Sequence, residues 1–375
     1  MWRATQVCNS SKNNQLQICT RKYMIKLPTF VDLHTHTRYP DNSDFPSQDI
    51  EIAALNGGYN EILAMANSEI PIDSVENLKL AREIDQNLNI KVHRVASLTE
   101  NLEGKKLINF SEFINEGIRI FSDDGKSLVD DQLAHKAFKT IAELDGAVFQ
   151  HCEKNCHTNP GDIAPPNFSN ELITIEEEEE TEILKRDLTL VEKYKTRYHA
   201  QHLSSKKSVE LIKKAKDKGL PVTAEVTPHH LMSNNEKIHT SDGEYKMYPP
   251  IRAEDDRQAL IMGLKTGVID IIATDHAPHP EETKTLSFKN SARGVVGLES
   301  AFAVLYSSNI FTLEELIAFM STKPKEILHK LGYDISENSY CNWLEVEGIF
   351  VTRSIYKNSL FENSKVKIQR DITHV

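Results

Sequence analysis

Thr29-Phe-Val-Asp-Leu-His34-Thr-His36 is a short apolar, β-branched run that ends in two histidines. Its composition predicts a strand, and its last residues are unsuited to a plain apolar core. Seven further runs of this kind follow, at 60–66, 90–97, 118–121, 147–151, 197–202, 222–226 and 269–274. Amphipathic stretches at 48–55, 73–86, 130–144, 180–194, 206–218 and 254–265 lie among them. Strand alternating with helix predicts parallel pairing through right-handed crossovers. Eight such strands in roughly 250 residues predict a (β/α)8 barrel, the TIM barrel. A doubly wound open sheet is the alternative, but no G-x-G-x-x-G follows the first strand. After position 310 the pattern predicts helices at 312–320 and 324–331, then an irregular segment.

In such a barrel, function sits at the C-terminal ends of the strands. Those ends read Asp32-Leu-His34-Thr-His36, Phe121-Ser-Asp123-Asp124-Gly125, His151-Cys-Glu153, His199-Ala-Gln-His202 and Ala273-Thr-Asp275-His276-Ala-Pro-His279. His34 and His36 are two apart on a strand and so share a face. Burying this many ionisable groups around one mouth without a cation would be costly. Neutral imidazoles with carboxylates suit Zn²⁺ and similar ions. Four histidines and two carboxylates from five strand ends are more ligands than one tetrahedral catalytic zinc with an open position takes. A carboxylate shared by two ions roughly 3.5–4 Å apart uses them all.

Asp32-Leu-His34-Thr-His36-Thr-Arg38 resembles the H-x-H-x-R signature of the amidohydrolases. Ala273-Thr-Asp275-His276-Ala-Pro-His279, Thr223-Ala-Glu225-Val-Thr-Pro228-His229-His230-Leu231 and Gly294-Val-Val-Gly297-Leu-Glu299 resemble the dihydroorotases in their bacterial, type I form. The resemblance runs from about Phe30 to Leu331. It implies that His34, His36 and Asp275 hold a first metal and His151 and His202 a second. Asp124 would bridge them, where related hydantoinases use a carboxylated lysine; Asp123 is the neighbouring alternative. Asp275 would also be the catalytic acid/base. Arg38, Asn67 and His279 would hold the substrate carboxylate.

The implied reaction is the reversible closure of N-carbamoyl-L-aspartate to L-dihydroorotate in pyrimidine biosynthesis. It would run by hydroxide attack at a pair of divalent ions, zinc being the expected metal. Two other readings are an allantoinase or hydantoinase, and a non-catalytic scaffold for aspartate carbamoyltransferase. A homodimer or an association with that transferase is the partner reading.

The chain departs from the family in four places. Fewer residues precede the first histidine strand, and the strands of a β-sandwich subdomain are hard to find after Gly332. That subdomain is expected to be reduced or absent. Tyr248 stands where the family has an asparagine that helps bind substrate, in Tyr248-Pro249-Pro250-Ile-Arg252. Tyr39-Pro40-Asp41 replaces Glu-Pro-Gly, and Arg293 stands in place of an aromatic residue before Gly294.

Composition bounds the remainder. The 375 residues are 39% hydrophobic and 26% charged, with net charge -11. That is globular, and ill suited to a general nucleic-acid surface. No apolar run reaches the roughly 20 residues of a membrane span. Five cysteines without zinc-finger spacing fit a reducing, cytoplasmic setting. Residues 1–23 contain no acid and read as a disordered extension, a short transit peptide being the rival. Residues 24–332 read as the barrel, and 333–375 as a sandwich remnant or irregular segment. The acidic run Glu176–Glu180 reads as a solvated helix start.

Overall fold

In the computed structural model of the chain, the described residues are 5–7, 22–40, 44–158, 161–165, 171–239, 242–336, 339–356 and 358–371. Two strands come first, β1 (Thr5–Val7) and β2 (Lys22–Pro28). The eight strands expected from the sequence follow: β3 (Phe30–Thr35), β4 (Tyr59–Ala64), β5 (Lys91–Arg94), β6 (Ile120–Phe121), β7 (Ala147–Gln150), β8 (Arg197–Ala200), β9 (Val222–Val226) and β10 (Ile271–Ile272). They form two parallel arcs, β3-β4-β5 and β6 to β10 in order. Single bridges close the arcs on each other: Thr35 with His276, and Ala96 with Phe121. His36 N donates to His276 O at 2.9 Å, and Ser122 N to Ala96 O at 2.9 Å. The result is a closed eight-stranded barrel.

Helices cross over between the strands. Those at Val75–Asp85, Asp131–Glu143 and Lys206–Asp217 start where Ser74, Asp130 and Ser205 accept from a backbone N–H of the first turn. The helix Glu177–Tyr194 opens on four acids, which complement its dipole. Here the solvated reading fails at one residue. Glu180 is buried, accepts from the Ser204 and Ser205 hydroxyls, and lies beside Arg252. It ties the helix to the end of β8.

Inside the barrel, Val31, Leu33, Leu63, Met65, Val95, Ile120, Phe149, Ile271 and Ala273 form one apolar filling. Leu328 and Leu331, at the end of the helix Lys323–Lys330, pack into the same cluster. Above this filling lies a polar belt. Ser122 Oγ donates to Gln201 Oε1 at 3.0 Å, and Glu225 meets both His34 and His199. Ionisable side chains follow the C-terminal ends of β3, β6, β7, β8 and β10, so the site lies at that mouth.

The chain after Gly332 is not irregular throughout. β11 (Tyr340–Val351) pairs antiparallel with β2 and with β12 (Lys365–Arg370), giving a sheet in the order β1-β2-β11-β12. Trp343 is buried from this sheet against Phe30 and Phe302, fastening it to the barrel. Most of residues 1–23 lie outside the described residues. Thr5–Val7 pairs with Lys22–Met24.

Candidate metal centre

Six side chains from five strand ends meet at one point. His34 Nε2 lies 3.2 Å from Asp124 Oδ2 and 3.4 Å from Asp275 Oδ1. His36 Nε2 lies 3.4 Å from Asp124 Oδ2 and 2.9 Å from Asp275 Oδ1. On the other side of Asp124, Oδ1 lies 3.4 Å from His202 Nε2 and 3.8 Å from His151 Nδ1. These two imidazole nitrogens face each other at 2.8 Å. Asp124 therefore turns one oxygen to each histidine pair.

Local backbone explains the convergence. The pairing register of β3 shifts between Asp32 and Thr35. Strict alternation therefore breaks, and His34 and His36 reach the mouth although Leu33 belongs to the apolar filling. His202, Asp275 and Arg38 sit at φ of 30°, 50° and 66°. This left-handed region costs non-glycine residues of order 1–3 kcal/mol each and concentrates at functional sites. Asp32 clamps the seam of the barrel beneath them. Its carboxylate accepts from Thr274 N and Thr274 Oγ1, each at 2.7 Å, and from Thr35 Oγ1 at 2.5 Å.

Whether these residues suit cations follows from their hydrogen bonds. His34 Nδ1 faces Glu225 Oε1 at 2.5 Å, so it donates and leaves Nε2 as a lone pair. His36 Nδ1 faces Asn67 Oδ1 at 2.8 Å, with the same result. His151 Nε2 donates to Glu153 Oε2 at 3.0 Å, leaving Nδ1 bare. Each lone pair then points at carboxylate oxygens or at another ring nitrogen. His34 Nε2 and Asp124 Oδ1 have no hydrogen-bond partner among the described residues, although both are buried. Such a set repels itself unless cations sit within it. Two groups of metal-ligating geometry occur among the described residues: His34, His36, Asp275; and His34, Asp124, His202. The residues fit divalent metal binding.

Without metal, the positive charge falls to protons on the rings: burial lowers the His34 pKa, but Asp124, Glu225 and Asp275 outweigh it and raise it well above the usual imidazole range. Burial pushes the Glu225 carboxyl up, but His34 and His199 outweigh it and lower its pKa to about 2. Burial likewise opposes ionisation of Asp124 and Asp275, and the surrounding histidines hold both well below the usual carboxylate range. Asp123 points elsewhere. It accepts from Leu98 N at 2.7 Å, Thr99 N at 3.0 Å and Thr99 Oγ1 at 2.5 Å, bracing the loop beside the mouth.

A cavity of about 210 Å³ opens above the cluster. Arg38, Asn67 and His279 line one side, Glu153 and Cys156 another, and Tyr248 and Arg293 complete the rim. Arg38 Nε donates to Pro278 O at 3.2 Å. His279 Nε2 donates to Arg293 O at 2.6 Å. Burial first, and Arg38 second, lower the His279 pKa to about 3, so the ring is neutral at rest. Gly294, at φ 112°, keeps this wall close. A Cβ there would lie 2.8 Å from Ala277 Cβ and 3.3 Å from His279 Nε2.

All nine residues singled out from the sequence thus line one pocket or its floor. Glu225, Glu153 and Asp32 carry work that the sequence reading did not assign. Their signal was a carboxylate inside or just beyond an otherwise apolar strand. Cys152, read as core, is buried against Tyr198 Oη at 3.3 Å. His230 braces the floor by donating from Nε2 to Pro249 O at 3.0 Å.

Comparison with known proteins agrees with this geometry. Residues 24–208 match the family described as dihydro-orotase-like. The dihydroorotase of Bacillus pumilus (strain SAFR-032) is 38% identical over 320 residues, covering 83% of this chain and 74% of that protein. The dihydroorotase of Bacillus subtilis (strain 168) is 38% identical over 315 residues, covering 81% and 73%. Among solved structures, the L-hydantoinase of Arthrobacter aurescens superposes with TM-score 0.73 at 20% identity, covering 92% of this chain and 82% of that one. The Saccharomyces cerevisiae dihydroorotase bound to 5-fluoroorotic acid gives 0.72 at 17%, covering 93% and 98%. At these identities the structures speak to the shared barrel fold.

Proposed function

The chain belongs to the dihydroorotase family, and from that premise we propose that it interconverts N-carbamoyl-L-aspartate and L-dihydroorotate in pyrimidine biosynthesis at the centre around Asp124. The observation that carries this reading is the position of Asp124, one oxygen toward His34 and His36 and the other toward His151 and His202. No lysine lines the cavity among the described residues, which sets the site apart from hydantoinases that bridge through a carboxylated lysine.

His34, His36 and Asp275 would hold one divalent ion, His151 and His202 the other, with Asp124 shared; we take both to be zinc, which suits imidazole and carboxylate donors. When bound, such ions lower the pKa of a shared water and polarise the substrate carbonyl.

The chain's own residues supply orientation and proton transfer. Glu225, Asn67 and Glu153 fix the tautomers of His34, His36 and His151. Arg38 presents a planar fork to the substrate carboxylate. Asn67 spends its carbonyl oxygen on His36, so its Nδ2 is the donor left for substrate. His279 completes this anchor. Asp275, ionised at rest, accepts the proton of the attacking water in the hydrolytic direction and delivers it to the departing amide nitrogen. In ring closure it takes the ureido N–H proton as that nitrogen attacks the carboxyl carbon, and returns it to the carboxyl oxygen, which leaves as water when the C–O bond breaks.

No helix among the described residues is long and apolar enough to cross a membrane. Cys152, Cys156 and Cys341 are unpaired thiols, in line with our assignment to the cytoplasm. The partner reading, a homodimer or an association with aspartate carbamoyltransferase, is tested by mass in solution with and without that enzyme. The function itself is tested by assaying the purified protein on dihydroorotate, hydantoin and allantoin. Turnover should be confined to dihydroorotate; a preference for either other ring would overturn the reading.

A further inference from the structure

The two departures from the family pattern at the pocket, Tyr248 and Arg293, touch each other. The Arg293 guanidinium lies 4.1 Å from the centre of the Tyr248 ring. Both side chains reach the same carbonyl: Arg293 Nη2 donates to Gly161 O at 3.1 Å, and the Tyr248 hydroxyl donates to it as well. Both line the cavity above Asp124. Arg293 is also joined through its own carbonyl to His279, within the side of the pocket that carries Arg38.

A guanidinium has five N–H donors. One is spent on Gly161 O, and the plane of the group is held by the ring beneath it. Among the described residues, no carboxylate forms an ion pair with Arg38 or with Arg293. Behind them, Lys246 is paired with Asp162 at 2.8 Å, and Lys284 is bonded to the Lys246 and Ala292 carbonyls. One wall of the pocket thus carries two guanidinium forks with no carboxylate in direct contact among the described residues; the acids whose charge Arg38 feels, Asp275 and Asp124, belong to the metal centre. Arg38 is the deep one, and Arg293 stands exposed at the rim.

We propose that Arg293, seated on Tyr248, is a second anion-recognition group of this pocket, one that helps bind the carboxylate-bearing substrate at the rim. The proposal rests on the dihydroorotase reading for the identity of that substrate. Tyr248 is a positioning residue, acting through Arg293. A contact of this kind is present in bound substrate and transition state alike, so its loss raises KM and leaves kcat nearly unchanged. Because it is an exposed charge, its contribution fades with added salt.

The test is steady-state kinetics on dihydroorotate for the metal-loaded wild type, Arg293→Gln, Arg293→Lys and Arg293→Gln with Tyr248→Leu, at low and high salt. Arg293→Gln should raise KM roughly tenfold, the scale of one charge-assisted hydrogen bond, with kcat within about twofold. It should also flatten the salt dependence of kcat/KM. Arg293→Lys should keep that salt dependence and show a smaller rise in KM. Adding Tyr248→Leu to Arg293→Gln should change little further. Two results would overturn the proposal: an unchanged KM in Arg293→Gln, or equal losses in the Gln and Lys variants with wild-type salt dependence, the mark of a mere loop tether. A wild type inactive on dihydroorotate would instead overturn the functional reading beneath it.

Discussion

Glu225 Oε1 lies 2.5 Å from His34 Nδ1, and that contact decides which ring nitrogen His34 turns to the centre. The same carboxylate accepts from His199 Nε2 at 3.0 Å and from the backbone N–H of His202 at 3.1 Å. One buried acid thus orients a ring on one side of Asp124 and the main chain on the other. Glu225→Gln should weaken metal affinity about 10- to 100-fold, measured by competition with a chelator. Wild-type affinity in that variant would remove Glu225 from the account.

Asp275→Asn keeps an oxygen beside His34 and His36 but loses the ability to carry a proton at ordinary pH. Turnover of dihydroorotate should fall by about 10²-fold or more, the usual worth of a positioned acid/base, while the protein still takes up metal. Near wild-type turnover would move the proton-transfer role elsewhere.

Arg38 faces the cavity from the segment just after β3 and has no ion-pair partner among the described residues. Arg38→Lys preserves charge but not the fork, so KM for dihydroorotate should rise by roughly tenfold or more. A KM unchanged from the wild type would exclude the carboxylate anchor proposed for it.

Lys284 gives a pH dependence away from the metals. It is buried beneath the rim, and burial lowers its pKa to about 7. The unfolded chain holds that proton up to about pH 10.4. Between these values the unfolded state binds more protons, so the Lys284 contribution to stability rises with pH. Its penalty is complete below pH 7 and gone above the unfolded value. Lys284→Met should therefore gain thermal stability relative to the wild type near pH 7, and the gap should close as pH rises toward 10. A gap that is constant over this range would show that Lys284 does not titrate there.

Much of this was legible in the sequence because the barrel writes function at the ends of its strands. His34, His36, His151, His202 and Asp275 each fall at or just past the C-terminal end of an expected strand, and in a barrel those ends share one mouth. What could not be read was contact between distant segments. Glu225 reaches His34 across 191 positions, and no local pattern shows that a strand carboxylate will meet a particular ring. Between Asp123 and Asp124 only the path of the loop after β6 decides. β11 and β12 were obscured for a related reason. Their pairing slips between Glu345 and Phe350, which interrupts the alternation, and β11 finds its other neighbour in β2 at the far end of the chain. Tyr248 and Arg293 were visible only as two separate oddities until the fold stacked one on the other.

Stripping the protein with a chelator and titrating divalent zinc back, while following dihydroorotate turnover, decides whether the centre around Asp124 works through two bound ions. Activity should be absent at the start and reach its plateau as a second equivalent per chain is bound. The same titration on Asp124→Ala should recover almost none. Full activity in the stripped protein, or a plateau in Asp124→Ala equal to that of the wild type, would contradict a centre built around Asp124.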